Sequence, residues 1–255
     1  MKLFSQLNGG IGDILLGMMK PGSHLGYFPA LKMRGDSTML SVHANTDAAF
    51  QLLERLPYVD HIGFRGSTLR IDGPPGYEVL RTWDGPLPWQ QPQLALDDEE
   101  LSILADITRE PYIAVHMAAS QPGRVPANPE KLLAGLSGRI VLLGIETSDD
   151  GPAVIGNRVA GIRSKLAGTP YILLPPKLRL HVAVAQRATK FIGTVSCFNC
   201  AAQLAHVPSF ILFNCSFKDP PIYDMMAKNG ARTEAWNVGK PVEQIYRDAV
   251  EWAAR

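Results

Sequence analysis

Lys2-Leu3-Phe4-Ser5-Gln6-Leu7-Asn8-Gly9-Gly10-Ile11-Gly12-Asp13-Ile14-Leu15 decides the fold class. The run to Leu7 reads as a strand and Asn8-Gly9-Gly10 breaks it. Ile11, Ile14, Leu15 and Met18 then recur at helical spacing. The same grammar returns along the chain. Met39–His43 reads as a second strand, followed by a helix over about Ala48–Leu56, with Thr46 or Asp47 as cap. Pro57 stops that helix, and Val59–Phe64 is the next strand. Strands alternating with helices mark a parallel sheet covered on both faces, an α/β fold.

Residues 65 to 110 are dense in Gly and Pro, as in Gly73-Pro74-Pro75-Gly76 and Gly85-Pro86-Leu87-Pro88. A short strand over Tyr77–Thr82 lies between them, and the acidic run Asp97–Glu100 leads into a short helix. The domain boundary falls near Glu110. Beyond it Tyr112–Met117 is a strand, and Asn128-Pro129-Glu130 starts a helix with a capping side chain and Pro in the first turn. Ile140–Ile145, Tyr171–Leu174, Phe191–Ser196 and Ser209–Asn214 are further strands, with a short helix over Asn199–His206. Leu178–Val184 alternates strictly, which argues for a strand, although its continuation through Ala185, Ala188 and Thr189 suits a helix equally. Pro241 opens a terminal helix with Val242, Ile245, Tyr246, Ala249 and Trp252 on one stripe. Two successive α/β units are expected.

Composition removes other classes. The 255 residues are 46% apolar and 19% charged, enough to bury a core and too apolar for intrinsic disorder. Lys and Arg number 25 against 24 Asp and Glu, so net charge gives no argument for nucleic acid or an anionic membrane. No apolar run reaches the ~18 residues of a membrane span. Asp13 stands where a signal peptide needs hydrocarbon, so the expected location is cytoplasmic. Three cysteines make no disulfide scaffold.

Chemistry is expected at three strand-to-helix turns. In the first, Gly10 and Gly12 let the backbone approach a ligand at a helix N-terminus, and Asp13 is either a general base or a carboxylate complementing the helix dipole. Leu15 replaces the third glycine of a dinucleotide fingerprint, and no Gly-Lys-Ser/Thr of a P-loop follows. In the second, His116 to Arg124 leaves a strand's C-terminal end, so Ser120 and Arg124 can bind phosphate oxygens; the alternative is a solvated surface Arg. The third is Gly193 to Ala205, another strand, polar turn and small-residue helix. Cys197 and Cys200, with His206 and Cys215, would make a four-ligand zinc set, but the spacing matches no familiar module and buried thiols are the default. One ligand held between two α/β halves would use all three turns.

These residues resemble heptosyltransferase-type (family 9) glycosyltransferases. The resemblance runs through Gly12-Asp13-Ile14-Leu15, Phe28-Pro29-Ala30-Leu31 and Leu56-Pro57-Tyr58-Val59-Asp60-His61-Ile62. It continues through Val115–Ser120 with Arg124, Leu142-Leu143-Gly144-Ile145-Glu146, and Gly193 to Pro208. It implies a GT-B fold of two Rossmann-like domains facing across a cleft. The implied division is 1–110 for the acceptor, 111–238 for a nucleotide-sugar, and 239–255 as a helix returning to the N-terminal domain. It further implies an inverting transfer without metal or cofactor, with Asp13 as the base. Ala119, Ser120 and Arg124 would hold the donor diphosphate, Gly144 and Glu146 the nucleoside, and Ser196, Cys197, Asn199 and Cys200 the rest of the donor subsite. His24, in a segment rich in Gly and Pro, is an acceptor or phosphate contact or a plain loop residue. The implied partners are a nucleotide-sugar donor and a glycan, lipid-linked or modified-nucleobase acceptor. The resemblance also makes Lys177–Thr189 a helix. In the third motif Val195 stands for the family's Asp, Cys197 for its Gly and Cys200 for its His, which keeps open a protein that binds a nucleotide or glycan without catalysis.

Overall fold

A computed structural model of the chain describes residues 1–9, 11–19, 23–44, 52–64, 75–79, 90, 93–117, 126–144, 171–214, 230–235 and 240–255, without the side chains at 8, 9, 13, 24, 41–44 and 61–64. The chain divides into two compact units, Met1–Asp97 and Asp98–Arg255.

In the first unit, β1 (Lys2–Gly9), β2 (Ser37–Ala44), β3 (His61–Phe64) and β4 (Glu78–Val79) form a parallel sheet in the order β3-β2-β1-β4. Helix α1 (Ile11–Met19) follows β1 directly; of the stripe its spacing predicts, Ile14, Leu15 and Met18 are buried and Ile11 is half-buried. A 3-10 turn (His24–Tyr27) leads into α2 (Phe28–Met33), which has Pro29 in its first turn. Of the helix expected over Ala48–Leu56, Leu52 and Leu53 are helical and the chain is already turning at Glu54. The Pro57–Asp60 stretch is tied down on two sides. The Thr38 N–H donates to the Asp60 carboxylate at 2.9 Å, and Lys32 of α2 pairs with the same carboxylate and holds its pKa below the usual range.

The second unit contains α3 (Asp98–Thr108), β5 (Ile113–His116), α4 (Pro129–Gly135), β6 (Ile140–Leu142) and β7 (Ile172–Leu173). It continues with α5 (Leu178–Arg187), β8 (Lys190–Thr194), α6 (Cys197–Leu204), β9 (Ser209–Phe213), β10 (Arg232–Ala235) and α7 (Val242–Ala254). All six strands are parallel, in the order β10-β9-β8-β5-β6-β7. This is a doubly wound arrangement, the strand order reversing between β5 and β8.

One open reading is resolved and two expectations change. Leu178–Val184 is helix, as the resemblance implies, and not the strand its alternation suggests. Every residue from Leu178 to Ala185 is buried, so no solvent stripe reveals the 3.6-residue period. The apparent alternation comes from Arg179 and His181, polar groups with buried partners of their own. The boundary expected near Glu110 lies at Asp97, because α3 packs on α5 and the buried Glu100 carboxylate pairs with Arg179 at 3.4 Å. The terminal helix packs within the second unit. Ile245, Tyr246 and Ala249 sit in the core cluster with Leu132, Leu133, Ile113 and Phe210, and Val242 and Trp252 pack against it. Burying Ile245 alone is worth roughly 1.5–3 kcal/mol. Finally, Asn128 precedes α4 with φ 55° and makes no side-chain cap, although Pro129 does open the helix. Strand β10 was not foreseen: Arg-Thr-Glu-Ala has no apolar run, and as an edge strand it needs none. Among the described residues, no helix is long and apolar enough to cross a membrane.

Candidate functional site

In open parallel sheets ligands bind outside the C-terminal strand ends, where the strand order reverses. In the second unit that point lies between β5 and β8, whose last residues pair as His116↔Gly193. Three of the segments singled out in the sequence leave the sheet here, from β5, β6 and β8.

The segment after β8 is described in full. Ser196 is extended and caps α6, its Oγ accepting the Asn199 N–H at 3.3 Å. That leaves the N-terminus of an eight-residue helix, with its N–H groups and partial positive charge, at the reversal point. Ser196 and Cys197 are half-buried. Asn199 and Cys200 are 0% and 1% exposed and belong to the packed face of α6. Neither atom of the Asn199 carboxamide has a hydrogen-bond partner among the described residues. Such a group, buried and unsatisfied, costs about 1–3 kcal/mol. Cys197 and Cys200 are thiols rather than a disulfide. His206 is exposed beyond the far end of α6, Cys215 lies outside the described residues, and among those described no three His, Cys, Asp or Glu side chains could share a metal.

From β5 the chain runs to Ala119, Ser120 and Arg124, and from β6 to Glu146; these four lie outside the described residues. The starts of both segments are fixed tightly. Leu143 N–H donates to Val115 O at 2.8 Å, and His116 Nδ1–H donates to Leu143 O at 2.9 Å. Gly144 has φ +68°, a conformation costly for any residue with a Cβ. Its N–H donates to His181 Nδ1 at 2.9 Å, and His181 Nε2–H donates in turn to Pro175 O at 2.8 Å. A carbonyl only accepts, so the second bond sets the tautomer and leaves Nδ1 as the acceptor. Burial pushes the His181 pKa from its ordinary 6.5 to about 4, helped by nearby His116 and opposed by the bond to Pro175. Phe198 of α6 closes the cluster, its ring 4.8 Å from the His116 ring and 5.9 Å from that of His181.

This histidine pair was missed as a unit in the sequence. The available signal was a His inside the otherwise apolar run of α5, a position where imidazole is kept only with partners.

In the first unit Gly12 and Asp13 lie in the first turn of α1, directly after β1. There β1 runs between β2 and β4, the reversal point of that sheet. The Asp13 and His24 side chains and the whole of Gly10 lie outside the described residues; the His24 backbone opens the 3-10 turn.

No protein-family model matches the sequence, and no curated protein matches it. Solved structures match in fold. A family 9 glycosyl transferase from Veillonella parvula aligns with TM-score 0.59 and 12% identity, over 99% of this chain and 95% of that one. The E. coli ADP-heptose lps heptosyltransferase II aligns with TM-score 0.55 and 13% identity over all of both chains. E. coli heptosyltransferase WaaC with ADP gives 0.50 and 13%, over 100% of this chain and 98% of that one. At 12–13% identity the likeness is one of fold, and the fold of this chain is that of the heptosyltransferase-like glycosyltransferases.

Proposed function

We propose that the protein is a glycosyltransferase that moves a sugar from a nucleotide-sugar to an acceptor hydroxyl. The observation that carries this reading is a coincidence of two facts. Over its full length the chain shares its fold with solved heptosyltransferases, and the strands that precede the three predicted donor segments, β8, β5 and β6, are neighbours in the second sheet, with the reversal between β5 and β8.

In this reading the diphosphate lies against the α6 N-terminus, with Ser196 and Cys197, and is held by Ala119, Ser120 and the Arg124 guanidinium. Glu146 and the Gly144 turn take the nucleoside. Asp13 removes the proton of the acceptor hydroxyl as its oxygen attacks the anomeric carbon. The bond from that carbon to the diphosphate breaks, the nucleoside diphosphate leaves with the electron pair, and configuration inverts. Arginine and helix N–H groups meet the leaving charge, so the step calls for no metal. Gly10, Gly12 and His24 belong to the acceptor side. Two structural neighbours are an ADP-heptose heptosyltransferase and a heptosyltransferase with ADP, which makes an adenosine diphosphate sugar the first donor to try.

Titration of the full chain with ADP, UDP, GDP and CDP, followed by turnover of the matching sugars over an acceptor panel, tests this. Asp13→Asn should keep nucleotide affinity and lose about 10²–10⁴ of the transfer rate. Transfer by Asp13→Asn at the wild-type rate would refute the assignment. One observation favours a second reading, binding without catalysis. Cys200 stands where the resembled motif has His, yet it is 1% exposed. Tight nucleotide binding with no transfer to any acceptor, unchanged in Asp13→Ala, would select that reading.

A further inference from the structure

We infer that Cys197 and Cys200 form a reversible dithiol–disulfide pair, and that closing it withdraws the α6 N-terminus from a nucleoside diphosphate. Control of binding rests on the donor reading above; the pair itself does not, and different measurements read the two.

Position argues for the pair. With Ser196 as the cap, Cys197 and Cys200 are the first and fourth residues of α6, neighbours on one side of the helix. At ~1.5 Å rise and ~3.6 residues per turn their Cα atoms lie about 5 Å apart, inside the ~4.4–6.8 Å that a disulfide spans. Both are thiols, the reduced form of such a pair. Cys197 is half-buried and Cys200 is 1% exposed. One thiol is within reach of an external disulfide and the other is screened from it, as an attacking and a resolving cysteine are. The thiolate is the attacking form, and the first turn of a helix is where backbone N–H groups favour negative charge.

The oxidant is a small disulfide such as oxidised glutathione. The Cys197 thiolate attacks one of its sulfurs, that S–S bond breaks, and one glutathione leaves with the electron pair. The Cys200 thiolate then attacks the Cys197 sulfur, and the second glutathione leaves in the same way. The protons lost by the two protein thiols end on the two glutathione thiols. The protein is oxidised by two electrons and the glutathione disulfide is reduced by two.

Closure deforms the turn. Cβ atoms three residues apart on a helix stand about 5–6 Å apart, and a disulfide needs about 3.5–4.5 Å. The inner side of the turn resists, because Cys200 is buried and the Phe198 ring packs 4.8 Å from that of His116 and 5.9 Å from that of His181. What yields is the start of the turn. There Ser196 Oγ accepts the Asn199 N–H at 3.3 Å, and Ser196 O accepts the Cys200 N–H at 3.1 Å. A shift of about 1 Å at that end takes an N–H group out of hydrogen-bond range of a diphosphate oxygen.

The test uses the full-length wild type, with Cys215→Ser in parallel so that the third cysteine of the sequence cannot be mistaken for a partner. Both are equilibrated in glutathione buffers of rising oxidised fraction, quenched with acid and alkylated, and their peptides are weighed by mass spectrometry. Parallel samples are titrated calorimetrically with ADP, UDP, GDP and CDP. The peptide holding Cys197 and Cys200 should lose two hydrogens and regain them with dithiothreitol, and Cys200→Ser should stop with one glutathione on Cys197. The oxidised protein should bind the preferred diphosphate about tenfold or more weakly than the reduced one, the worth of one charge-assisted hydrogen bond. Alkylation of both thiols at every glutathione ratio, or a mixed disulfide on Cys197 that persists with Cys200 present, would overturn the pair. A pair that closes while diphosphate affinity stays within about twofold would overturn its control of the site. If the reduced protein binds none of the four diphosphates, the donor reading falls and the control of binding with it, while the peptide masses still decide the pair.

Discussion

Replacing Gly144 by alanine tests the histidine–phenylalanine cluster most directly. Two costs arise and can be separated. The first is conformational: a Cβ at φ +68° costs about 1–2 kcal/mol. The second is steric. The new methyl would lie 2.7 Å from His116 Cε1, 2.8 Å from its Nδ1 and 2.9 Å from Phe198 Cε2. His116 cannot swing away without losing its bond to Leu143 O, so the clash is an overpacking of about 1–3 kcal/mol. Gly138 provides the control. It has φ +88°, and nothing lies within 4 Å of the Cβ it would acquire. Gly138→Ala should therefore show the conformational cost alone, and Gly144→Ala should exceed it by about 1–3 kcal/mol. With a urea slope of about 2 kcal/mol per molar, the midpoint of Gly144→Ala should fall roughly 0.5–1.5 M below that of the control. Urea melts followed by far-ultraviolet circular dichroism, with the slopes compared first, give this difference. Equal midpoints for the two variants would refute the packing of the rings against Gly144.

Three further outcomes are expected. Because the folded pKa of His181 is depressed to about 4, the unfolded chain binds the proton first as pH falls below about 6.5. Stability is thus lost between pH 6.5 and 4, by about 2 kcal/mol at pH 5, and His181→Asn should not show this component. A gap between the urea midpoints of wild type and variant that stays constant from pH 7 to 5 would contradict it. Asn199→Leu removes a fully buried carboxamide that has no partner among the described residues and should raise the unfolding free energy by about 1 kcal/mol while weakening any donor that uses the amide; a lower thermal midpoint argues that the amide is satisfied. In the buried pair of α3 and α5, Glu100→Gln alone should cost about 3–5 kcal/mol in urea unfolding. The double variant Glu100→Leu/Arg179→Met should recover most of this, and additive losses would show that the charges do not share one site.

Sequence legibility followed exposure. Where a helix has one wet face, as in α7, periodicity located it and named its buried residues, Ile245, Tyr246 and Ala249. In α5 all sides are dry, so hydrophobicity carried no period, and the residues that looked solvent-facing, Arg179 and His181, were the two with buried partners. Asn128 before Pro129 satisfied a local rule for a cap that the backbone does not use. The boundary near Glu110 followed the Gly/Pro-rich stretch, whereas the true division follows what α3 packs on, a long-range fact. Of the site, the sequence showed which turns carry the chemistry. It did not show that Gly144 is held between His116 and His181, because those three residues meet only once β5, β6 and α5 are assembled.

The position of α7 has a consequence for how this chain is made. The Tyr246 hydroxyl reaches back to Ala127 O, 119 residues earlier. At ~5–20 residues per second, a ribosome takes about 6–24 s to cover that interval. Until Ile245, Tyr246 and Ala249 emerge, Leu132, Leu133 and Phe210 lack the neighbours that keep them dry. Nascent chains stalled before Val242 would display a greasy seam, which makes them natural clients of holding chaperones and poor candidates for expression as C-terminally trimmed fragments.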